Sequence, residues 1–376
     1  MQISLSLINK KFSTTKLCFD IYNKYMNNYI VNFPQAGIEN STIPKKKHEK
    51  FNTYIFLPKN TERKSEGGLR KKGYLKFNYK VENGQWWACN FRWEKLFKVS
   101  PPEDLDIKLD TFPKINNVIY IPLISIITVV YNNKEKIEKT INSVINQNYP
   151  NIEYIIIDGN STDGTVDIIK KYDQVIDFWV SEPDEGISDA FNKGLILALG
   201  SYIQILNSGD TFLNEDILKD IIKDFLNKDV VAYQALTDTG KVFPNYRYEV
   251  TELNTCDIVK KIQNAQCAHQ ATFISKVAYL KTGLYNSYSI RMDFDLFMRL
   301  QKFFNIYCFN KPIVLYLTDG ISSKFKNRLK FKLEEYMIIN KDECNIPFSF
   351  KVKFFINLPV YLIKKFLSTL YYKYFR

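Results

Sequence analysis

The sequence predicts an α/β protein with a mostly parallel sheet that is flanked by helices. Three apolar runs without regular polar alternation, Leu123–Val130, Tyr154–Ile157 and Tyr202–Leu206, are typical of strands that are buried on both faces. Between them, residues 134–146 and 187–199 place apolar side chains at helical spacing. The alternation of strands and helices indicates a doubly wound sheet.

Each apolar run ends in a short polar cluster. Asn132 follows the first run, Asp158 follows the second, and Asp210 follows the third. Ligands of doubly wound sheets bind beyond the carboxyl ends of the strands. Asp-Gly and Gly-Asp pairs are also common in turns. Two acids on one edge of one sheet nevertheless favour a binding site.

The composition is that of a globular protein with an anionic partner. The chain has 376 residues and a formal charge of +12, which favours nucleic acid, a membrane surface or a phosphorylated substrate as partner. Its six cysteines are scattered without a Cys-x-x-Cys pair, and it has two histidines. This pattern disfavours a disulfide framework and a structural zinc site. We therefore expect reduced thiols and a cytoplasmic protein.

Residues 1–119 are predicted to be an N-terminal extension of unknown role. Lys10, Lys11 and Lys16 interrupt any apolar core that a signal peptide would need. Within the extension, residues 81–119 are a Trp-rich insertion. The insertion is interpreted as a small β element or a hydrophobic cluster that packs on the main domain, with a carbohydrate-stacking platform as the alternative.

Residues 331–376 are predicted to form a basic, aromatic, amphipathic helical tail. Residues 345–376 carry six cations and no acid. The apolar core Phe354–Ile363 is too short to span a bilayer, and Pro359 interrupts it. Such a tail favours an interfacial helix on an anionic leaflet, which predicts a peripheral protein on the cytoplasmic face of the inner membrane. A terminal helix docked on the protein itself is the alternative.

The central part of the chain resembles the family 2 glycosyltransferases of bacterial polysaccharide and lipopolysaccharide biosynthesis, which have the GT-A fold. The blocks that carry the resemblance follow the family's order and spacing, and they are Pro122–Asn132, Ile155–Thr165, Ser181–Gly194, Leu206–Asp210, His269–Phe273 and Asp293–Arg299. The segment Glu66–Arg70 is similar to one that precedes the catalytic domain in some bacterial members.

The resemblance implies the domain organisation and the reaction. Residues 120–330 would form the Rossmann-like GT-A domain, with the nucleotide-sugar half in 120–235 and the acceptor half in 236–330. The expected reaction moves a sugar from a nucleotide-sugar donor to a hydroxyl of a glycan or polyprenyl-linked acceptor in surface polysaccharide biosynthesis. Nucleic acid is not an expected partner, because the cations gather in the terminal segment.

The resemblance also implies a divalent metal, Mg²⁺ or Mn²⁺. A cation held by a carboxylate offsets the charge that builds on the leaving diphosphate. Asp210 matches the last position of the family's Asp-x-Asp motif, which here reads Asn207-Ser208-Gly209-Asp210 and lacks the first acid. His269 is a second candidate metal ligand, with an acceptor contact or a hydrogen bond in the core as alternatives.

Further site residues are carried over from the resemblance. Asp158 resembles the acid that contacts the nucleotide base. Lys193 is expected to pair with phosphate, and an exposed helix lysine is the alternative. The full set of donor-binding candidates is Thr128, Tyr131, Asn132, Asp158, Asp189, Asn192, Lys193 and Asn207.

Asp293 matches the position of the acid that acts as general base in the family, so the resemblance implies Asp293 as the base, with Asp295 as the second choice. Both acids lie in the first turn of a predicted amphipathic helix, where the helix dipole also favours anions for purely structural reasons. One base without an evident nucleophile fits a single displacement that inverts the anomeric configuration. The competing hypotheses are a catalytically lapsed GT-A domain that acts as a membrane-attached binding module, and a sugar nucleotidyltransferase.

Overall fold

The computed structural model describes residues 15–16, 53–100, 109–244, 266–288, 290–318 and 327–341. The strands are β1 (Thr15–Lys16), β2 (Ser65–Gly67), β3 (Tyr74–Leu75), β4 (Asn78–Glu82), β5 (Gln85–Cys89), β6 (Lys95–Val99), β7 (Lys114–Ile115), β8 (Val118–Ile121), β9 (Ile124–Val130), β10 (Ile152–Asp158), β11 (Phe178–Ser181), β12 (Tyr202–Ile205), β13 (Thr211–Phe212), β14 (Val230–Thr237), β15 (Val242–Phe243), β16 (Thr272–Ser275) and β17 (Ile306–Tyr316). The α-helices are α1 (Lys134–Ile145), α2 (Thr165–Lys171), α3 (Ile187–Leu197), α4 (Ile217–Ile221), α5 (Lys276–Thr282), α6 (Met292–Leu300) and α7 (Arg328–Lys341).

The main sheet confirms the predicted α/β class. Its strand order is β13-β17-β14-β16-β12-β9-β10-β11-β2, and β15 pairs with β14. The neighbours β12, β9, β10 and β11 are parallel to one another. The three apolar runs that predicted strands form β9, β10 and β12, and the two helical patterns form α1 and α3. The order β11-β10-β9-β12 is that of half a doubly wound sheet.

The two faces of the sheet carry separate cores. All seven residues of β9 are buried. Ile124 and Ile126 contribute to one core, and Ile127 contributes to the other, because successive side chains of a strand point to opposite faces. Helix α1 packs into the first core through Ile137, and α3 packs into the second through Phe191. This two-sided burial explains why the runs are apolar throughout.

The segment before residue 120 is joined to the main sheet. Strand β2 pairs antiparallel with β11 and forms the edge of the sheet. Arg70, which follows β2, is buried and forms an ion pair with Glu153 of β10 at 2.5 Å. The Trp-rich insertion forms a second, antiparallel sheet of order β6-β5-β4-β8-β7, and its Trp86 packs into the same core as α1. The division of the chain at residues 119 and 120 remains a prediction.

In the ranges described above, no helix is both long and apolar enough to cross a bilayer. Of the predicted tail, only residues 331–341 are described, and they belong to α7. Residues 342–376 lie outside the described part of the chain, so the prediction of an interfacial helix stands as it was made.

Candidate active site

The predicted site residues lie mainly at the carboxyl edge of the parallel strands. Tyr131 and Asn132 follow β9, Asp158 ends β10, and Asn207 and Asp210 follow β12. Because these strands are parallel neighbours, their carboxyl ends share one edge of the sheet. The edge therefore collects side chains from three separate blocks of the sequence.

Asp158 is fully buried and its carboxylate is occupied by hydrogen bonds. Oδ1 accepts from Ser161 Oγ at 2.5 Å, and Oδ2 accepts from Ser161 N at 2.9 Å and from Ser181 Oγ at 2.7 Å. Ser161 Oγ also accepts from Asn132 N at 2.7 Å. Asp158 thus ties together the loops that follow β9, β10 and β11.

Tyr131 presents its ring to solvent, whereas Thr128 does not reach the surface. Tyr131 is 67% exposed. Asn132 adopts a left-handed conformation with φ of 46°, and its Oδ1 accepts from Thr162 N at 2.8 Å. Thr128 is fully buried, and its hydroxyl lies 3.1 Å from the hydroxyl of Tyr154. Of these three predicted donor-binding residues, Tyr131 and Asn132 are exposed and Thr128 is not.

The polar side chains of α3 are held by the protein. Lys193 is buried, and its Nζ donates to Pro183 O at 2.7 Å and pairs with Glu182 at 3.0 Å and Asp189 at 3.3 Å. Asn192 brackets the backbone of Tyr285, donating to its O at 2.9 Å and accepting from its N at 2.8 Å. Lys193 and Asn192 therefore both hold neighbouring parts of the chain in place, in addition to any contact with the donor.

Asp184 is an acid of this edge that the sequence did not single out. It is half-buried, and its Oδ1 accepts from Gly186 N at 2.9 Å. Burial raises the pKa of Asp184 above its ordinary value, while the nearby Lys193 ammonium opposes that shift. Asp184 lies inside the block Ser181–Gly194, but nothing in the sequence distinguished it from Asp189.

A chain of contacts connects the end of β12 to the start of α6. Asn207 Nδ2 lies 3.0 Å from His269 Nε2, and His269 Nδ1 lies 3.4 Å from Asp293 Oδ2. With the amide nitrogen donating, Nε2 is the acceptor and Nδ1 carries the proton toward Asp293. His269 sits in a short 3-10 turn, His269–Ala271, directly before β16. Both ring nitrogens of His269 are therefore engaged.

Asp293 is the accessible one of the two candidate bases. Its side chain is 22% exposed, and Oδ1 accepts from Phe294 N at 2.7 Å. Burial alone raises the pKa of Asp293, but the hydrogen bond with His269 and the Arg291 guanidinium hold that pKa below its ordinary value. Asp293 is therefore a carboxylate at neutral pH and can accept a proton.

Asp295 is buried, and its hydrogen bonds hold α6 in place. Its Oδ2 accepts from Arg299 Nε at 2.9 Å and from Asn286 Nδ2 at 2.5 Å. The Arg299 guanidinium in turn donates to Thr282 O and Leu284 O. This network fastens α6 to the end of α5 and leaves Asp293 as the more exposed of the two acids.

Asp210 is buried directly before β13 and contacts Leu317, the residue that follows β17. Its Oδ1 accepts from Leu317 N at 3.1 Å, and its backbone O accepts from Thr140 Oγ at 2.9 Å. Gly209 has a φ of 106°, which strongly favours glycine. These contacts fix the orientation of the loop from Asn207 to Asp210.

The residues present fit a cation that takes most of its ligands from a substrate. Among the residues that the structure describes, no three His, Cys, Asp or Glu side chains converge as a metal site. Mg²⁺ is commonly held by one or two carboxylates together with substrate phosphates and water. Asp210 supplies such a carboxylate, and Asn207 Oδ1 is a buried oxygen that accepts no hydrogen bond from the described residues. A metal bond at His269 would replace one of the two contacts of its ring.

Comparison with known proteins identifies the family. Residues 125–284 match the family model described as "Glycosyl transferase family 2". An uncharacterized glycosyltransferase of Mycobacterium tuberculosis is 30% identical over 190 residues, which cover 47% of this chain and 68% of that protein. The chain belongs to glycosyltransferase family 2. It is therefore a glycosyltransferase, and its α/β sheet is the GT-A fold that the family resemblance predicted.

Two further proteins are similar over part of their length. A putative teichuronic acid biosynthesis glycosyltransferase of Bacillus subtilis, TuaG, is 39% identical over 103 residues, which cover 27% of this glycosyltransferase and 41% of TuaG. The crystal structure of S. aureus TarS 1-349 in complex with UDP-GlcNAc is 19% identical with a TM-score of 0.47, and the match covers 62% of this chain and 72% of that one.

Proposed function

We propose that this glycosyltransferase moves a sugar from a nucleotide-sugar donor to a hydroxyl group of a glycan or lipid-linked acceptor, with inversion at the anomeric carbon. The observation that carries the proposal is the contact chain Asn207–His269–Asp293. It joins the loop of Asp210, the candidate metal carboxylate, to the accessible acid of α6. A leaving diphosphate and an acceptor hydroxyl would thus be handled at one edge of one sheet.

The proposed mechanism is a direct displacement. The acceptor oxygen attacks the anomeric carbon while its proton passes to Asp293, and the bond from that carbon to the diphosphate breaks. His269 holds the carboxylate of Asp293 in place through Nδ1, and Asn207 fixes the tautomer of His269 through Nε2. General-base catalysis of this kind contributes about 10²- to 10⁴-fold in rate.

Charge at the edge supports a role for a divalent cation. The acids Asp158, Asp184 and Asp210 lie on or beside the carboxyl ends of the parallel strands, and Lys193 is already paired with Glu182. A diphosphate brings further negative charge to this place. Asp210 and Asn207 Oδ1 would hold the cation, whose chemistry is to offset the charge of the leaving diphosphate.

We infer surface polysaccharide synthesis as the biological setting. Support comes from the family and from the similarity to TuaG, whose name refers to teichuronic acid biosynthesis. The basic tail of residues 345–376 supports attachment to an anionic membrane surface, where a lipid-linked acceptor would lie. Flotation of the full chain with anionic and with neutral vesicles tests this attachment. Lys364→Glu combined with Lys365→Glu should weaken binding to anionic vesicles, and unchanged binding would contradict the proposed role of the tail.

Donor binding is the first test of the proposed function. The thermal midpoint of the purified chain is measured with UDP-, GDP- and dTDP-sugars, with and without Mn²⁺. We expect an Mn²⁺-dependent rise with at least one donor, and the loss of that rise in Asp210→Ala. Asp216→Ala, which removes an exposed acid outside the site, is the matched control. Absence of a shift with every donor would instead favour a lapsed transferase that acts as a binding module.

A further inference from the structure

The second, antiparallel sheet has two faces of different composition, because successive side chains of a strand point to opposite faces. One face, which includes Trp86 and Ala88, packs into the core that the sheet shares with α1. The opposite face, the outer face, carries a row of four direct cross-strand partners from β8, β4, β5 and β6, which are Tyr120, Lys80, Trp87 and Lys98.

Along this row an aromatic ring alternates with an ammonium group. Nζ of Lys80 lies 5.3 Å from the centroid of the Tyr120 ring, and Nζ of Lys98 lies 5.3 Å from the centroid of the larger Trp87 ring. Both aromatic side chains are partly exposed. Neighbouring strands are about 4.8 Å apart, so the two rings stand about 10 Å apart with a cation between them.

The lysines of the outer face outnumber its acids. Lys95 of β6 lies 4.6 Å from the centroid of the Trp87 ring and forms an ion pair with Glu82. Lys80 donates to a backbone oxygen, and Lys98 contacts the Trp87 ring. In the part of the chain that the structure describes, neither of these two lysines forms an ion pair with an acid. Two cations on the row are therefore left to pair with the anionic groups of a ligand.

A third aromatic ring lies beside the row in a strained turn. Trp93, between β5 and β6, has a φ of 65°, which is uncommon for a bulky residue. Its ring makes an edge contact with Tyr120, with centroids 4.9 Å apart, and its backbone O accepts from Lys80 Nζ at 3.1 Å. Asn90 Oδ1 holds the turn by accepting from two backbone N–H groups. The turn thus adds Trp93 to the aromatic part of the outer face.

We propose that the outer face binds an acidic glycan whose sugar rings carry carboxylate groups. The apolar side of a sugar ring packs on an aromatic side chain, and an ammonium group pairs with a carboxylate. A uronic acid carries its carboxylate directly on the sugar ring. That arrangement matches a row in which each aromatic ring has a cation one strand away. A glycan of a few sugars lying across the strands would contact both rings of the row and both cations.

The outer face belongs to the end of the molecule opposite the candidate active site. The second sheet contacts the amino ends of the parallel strands, where Asn78 Oδ1 accepts from Leu123 N and Asn151 Nδ2 donates to Phe77 O. The candidate site lies at their carboxyl ends, and the seven residues of β9 span about 20 Å. A glycan on the outer face is therefore held without occupying the place of sugar transfer, and its binding depends on no step of that reaction.

Calorimetry of the full chain with acidic oligosaccharides, in the absence of a sugar nucleotide, tests this binding. The ligands are an oligogalacturonate, an oligoglucuronate and the methyl ester of each, which keeps the sugar rings and removes their charge. We expect at least one acidic form to bind, and its ester to bind about 10-fold more weakly. Binding of neither acidic form, or equal binding of acid and ester, would overturn the proposal.

Variants of the row separate a built surface from general attraction by the formal charge of +12. Trp87→Ala should weaken binding of the acidic form about 10-fold at unchanged net charge. Lys98→Gln should weaken it about 2- to 5-fold, whereas Lys219→Gln, which removes an exposed lysine of α4, should not. Equal effects of the two lysine substitutions together with no effect of Trp87→Ala would show unspecific polyanion binding and overturn the proposal.

Two further probes and one further variant complete the test. Inorganic polyphosphate and anionic vesicles are titrated in the same way, and a loss of their binding in Trp87→Ala as large as that of the acidic glycan would assign the face to phosphate or to a membrane instead. Trp87→Ala should retain the Mn²⁺-dependent thermal shift with the donor. Asp293→Asn should bind the glycan like the wild type while losing sugar transfer, so failure of glycan binding and failure of the proposed function give different results.

Discussion

Strand β10 carries an acid near each end, and the two carboxylates have different kinds of partner. Glu153, near the start, pairs with the Arg70 guanidinium at 2.5 Å and also accepts from Ser125 Oγ and Leu199 N. Asp158, at the end, accepts only from hydroxyl and backbone N–H groups. Both carboxylates are buried. One charge is neutralised by a cation of the chain, and the other is stabilised without one.

This difference suggests different roles for the two ends of β10. The start, at Glu153, is structural, and the end, at Asp158, lies at the candidate site. A buried charge without a counter-ion is costly, so a cation from the N-terminal segment at Glu153 indicates a permanent structural role. At the carboxyl end, Asp158 accepts hydrogen bonds from Ser161 and Ser181 instead of pairing with a cation. An acid without a cation of the chain is consistent with the proposed binding of a divalent cation and a diphosphate at this edge. If the two ends have separate roles, a substitution at one end should leave the other undisturbed.

The largest expected effect is on chemistry at the carboxyl edge. Asp293→Asn removes the proposed base and should lower kcat about 10²- to 10⁴-fold, as is typical for general-base catalysis. The thermal midpoint should change little, because Asp293 is partly exposed. Sugar transfer with the preferred donor is the measurement. Asp295→Asn is the control: it should lower stability and leave kcat of the folded enzyme nearly intact, and the reverse result would exchange the roles of the two acids.

The next effect is on stability at the opposite end of β10. Arg70→Met keeps most of the side-chain volume but leaves Glu153 buried without its cation, and it should cost about 3–5 kcal/mol in the free energy of unfolding. Urea denaturation measures this quantity. Lys71→Met, next to it and exposed, loses a surface ion pair with Glu66 and a cation–π contact with Phe56, and it should cost about 1 kcal/mol. Equal effects of the two substitutions would mean that the Arg70–Glu153 pair has no special structural role.

A pH-dependent effect is expected from Lys276, which is fully buried near the same end. Burial lowers the pKa of Lys276 to about 7, against the opposing attraction of Glu153. Between pH 7 and the ordinary lysine pKa, the unfolded chain binds this proton and the folded protein does not. The free energy of unfolding should therefore gain about 1.4 kcal/mol per pH unit from this group as pH rises above 7.

Lys276→Met should remove that part of the pH dependence. The measurement is urea denaturation of wild type and variant at pH 7, 8 and 9, and the difference between the two curves isolates Lys276 from other titrating groups. We expect the difference to change steadily over this range, in favour of the wild type as pH rises. A difference independent of pH would show that Lys276 is protonated in the folded state throughout.

The smallest expected effect is that of Asp158→Asn. The variant keeps the shape of the side chain but weakens hydrogen bonds from Ser161 and Ser181, which should cost about 1–3 kcal/mol in the free energy of unfolding. Its cost should be lower than that of Arg70→Met, because no charge is left buried without its partner. A greater cost than that of Arg70→Met would remove the distinction between the two ends of β10.

The fold could be predicted from local sequence patterns because strands that are buried on both faces of a sheet are apolar along their whole length. Strands β9, β10 and β12 and helices α1 and α3 lie where apolar runs and helical spacing predicted them. The edge strand β2 gave no such signal, since Ser65–Gly67 is short and polar and is a strand only because β11 pairs with it. The sequence also predicted the edge of the sheet on which the candidate site lies.

The orientation of individual acids was decided by tertiary structure. Asp158 ends β10 and Asp184 follows β11, and the sequence singled out Asp158 but not Asp184. Ser161 and Ser181 turn Asp158 inward, and the missing side chain of Gly159 lets Asp184 reach the place beside Tyr131. The sequence by itself determined the α/β sheet, the family and the edge that carries the site, because periodicity and motifs are local. Which carboxylate faces a ligand depends on hydrogen bonds between distant residues, and only the folded chain brings those residues together.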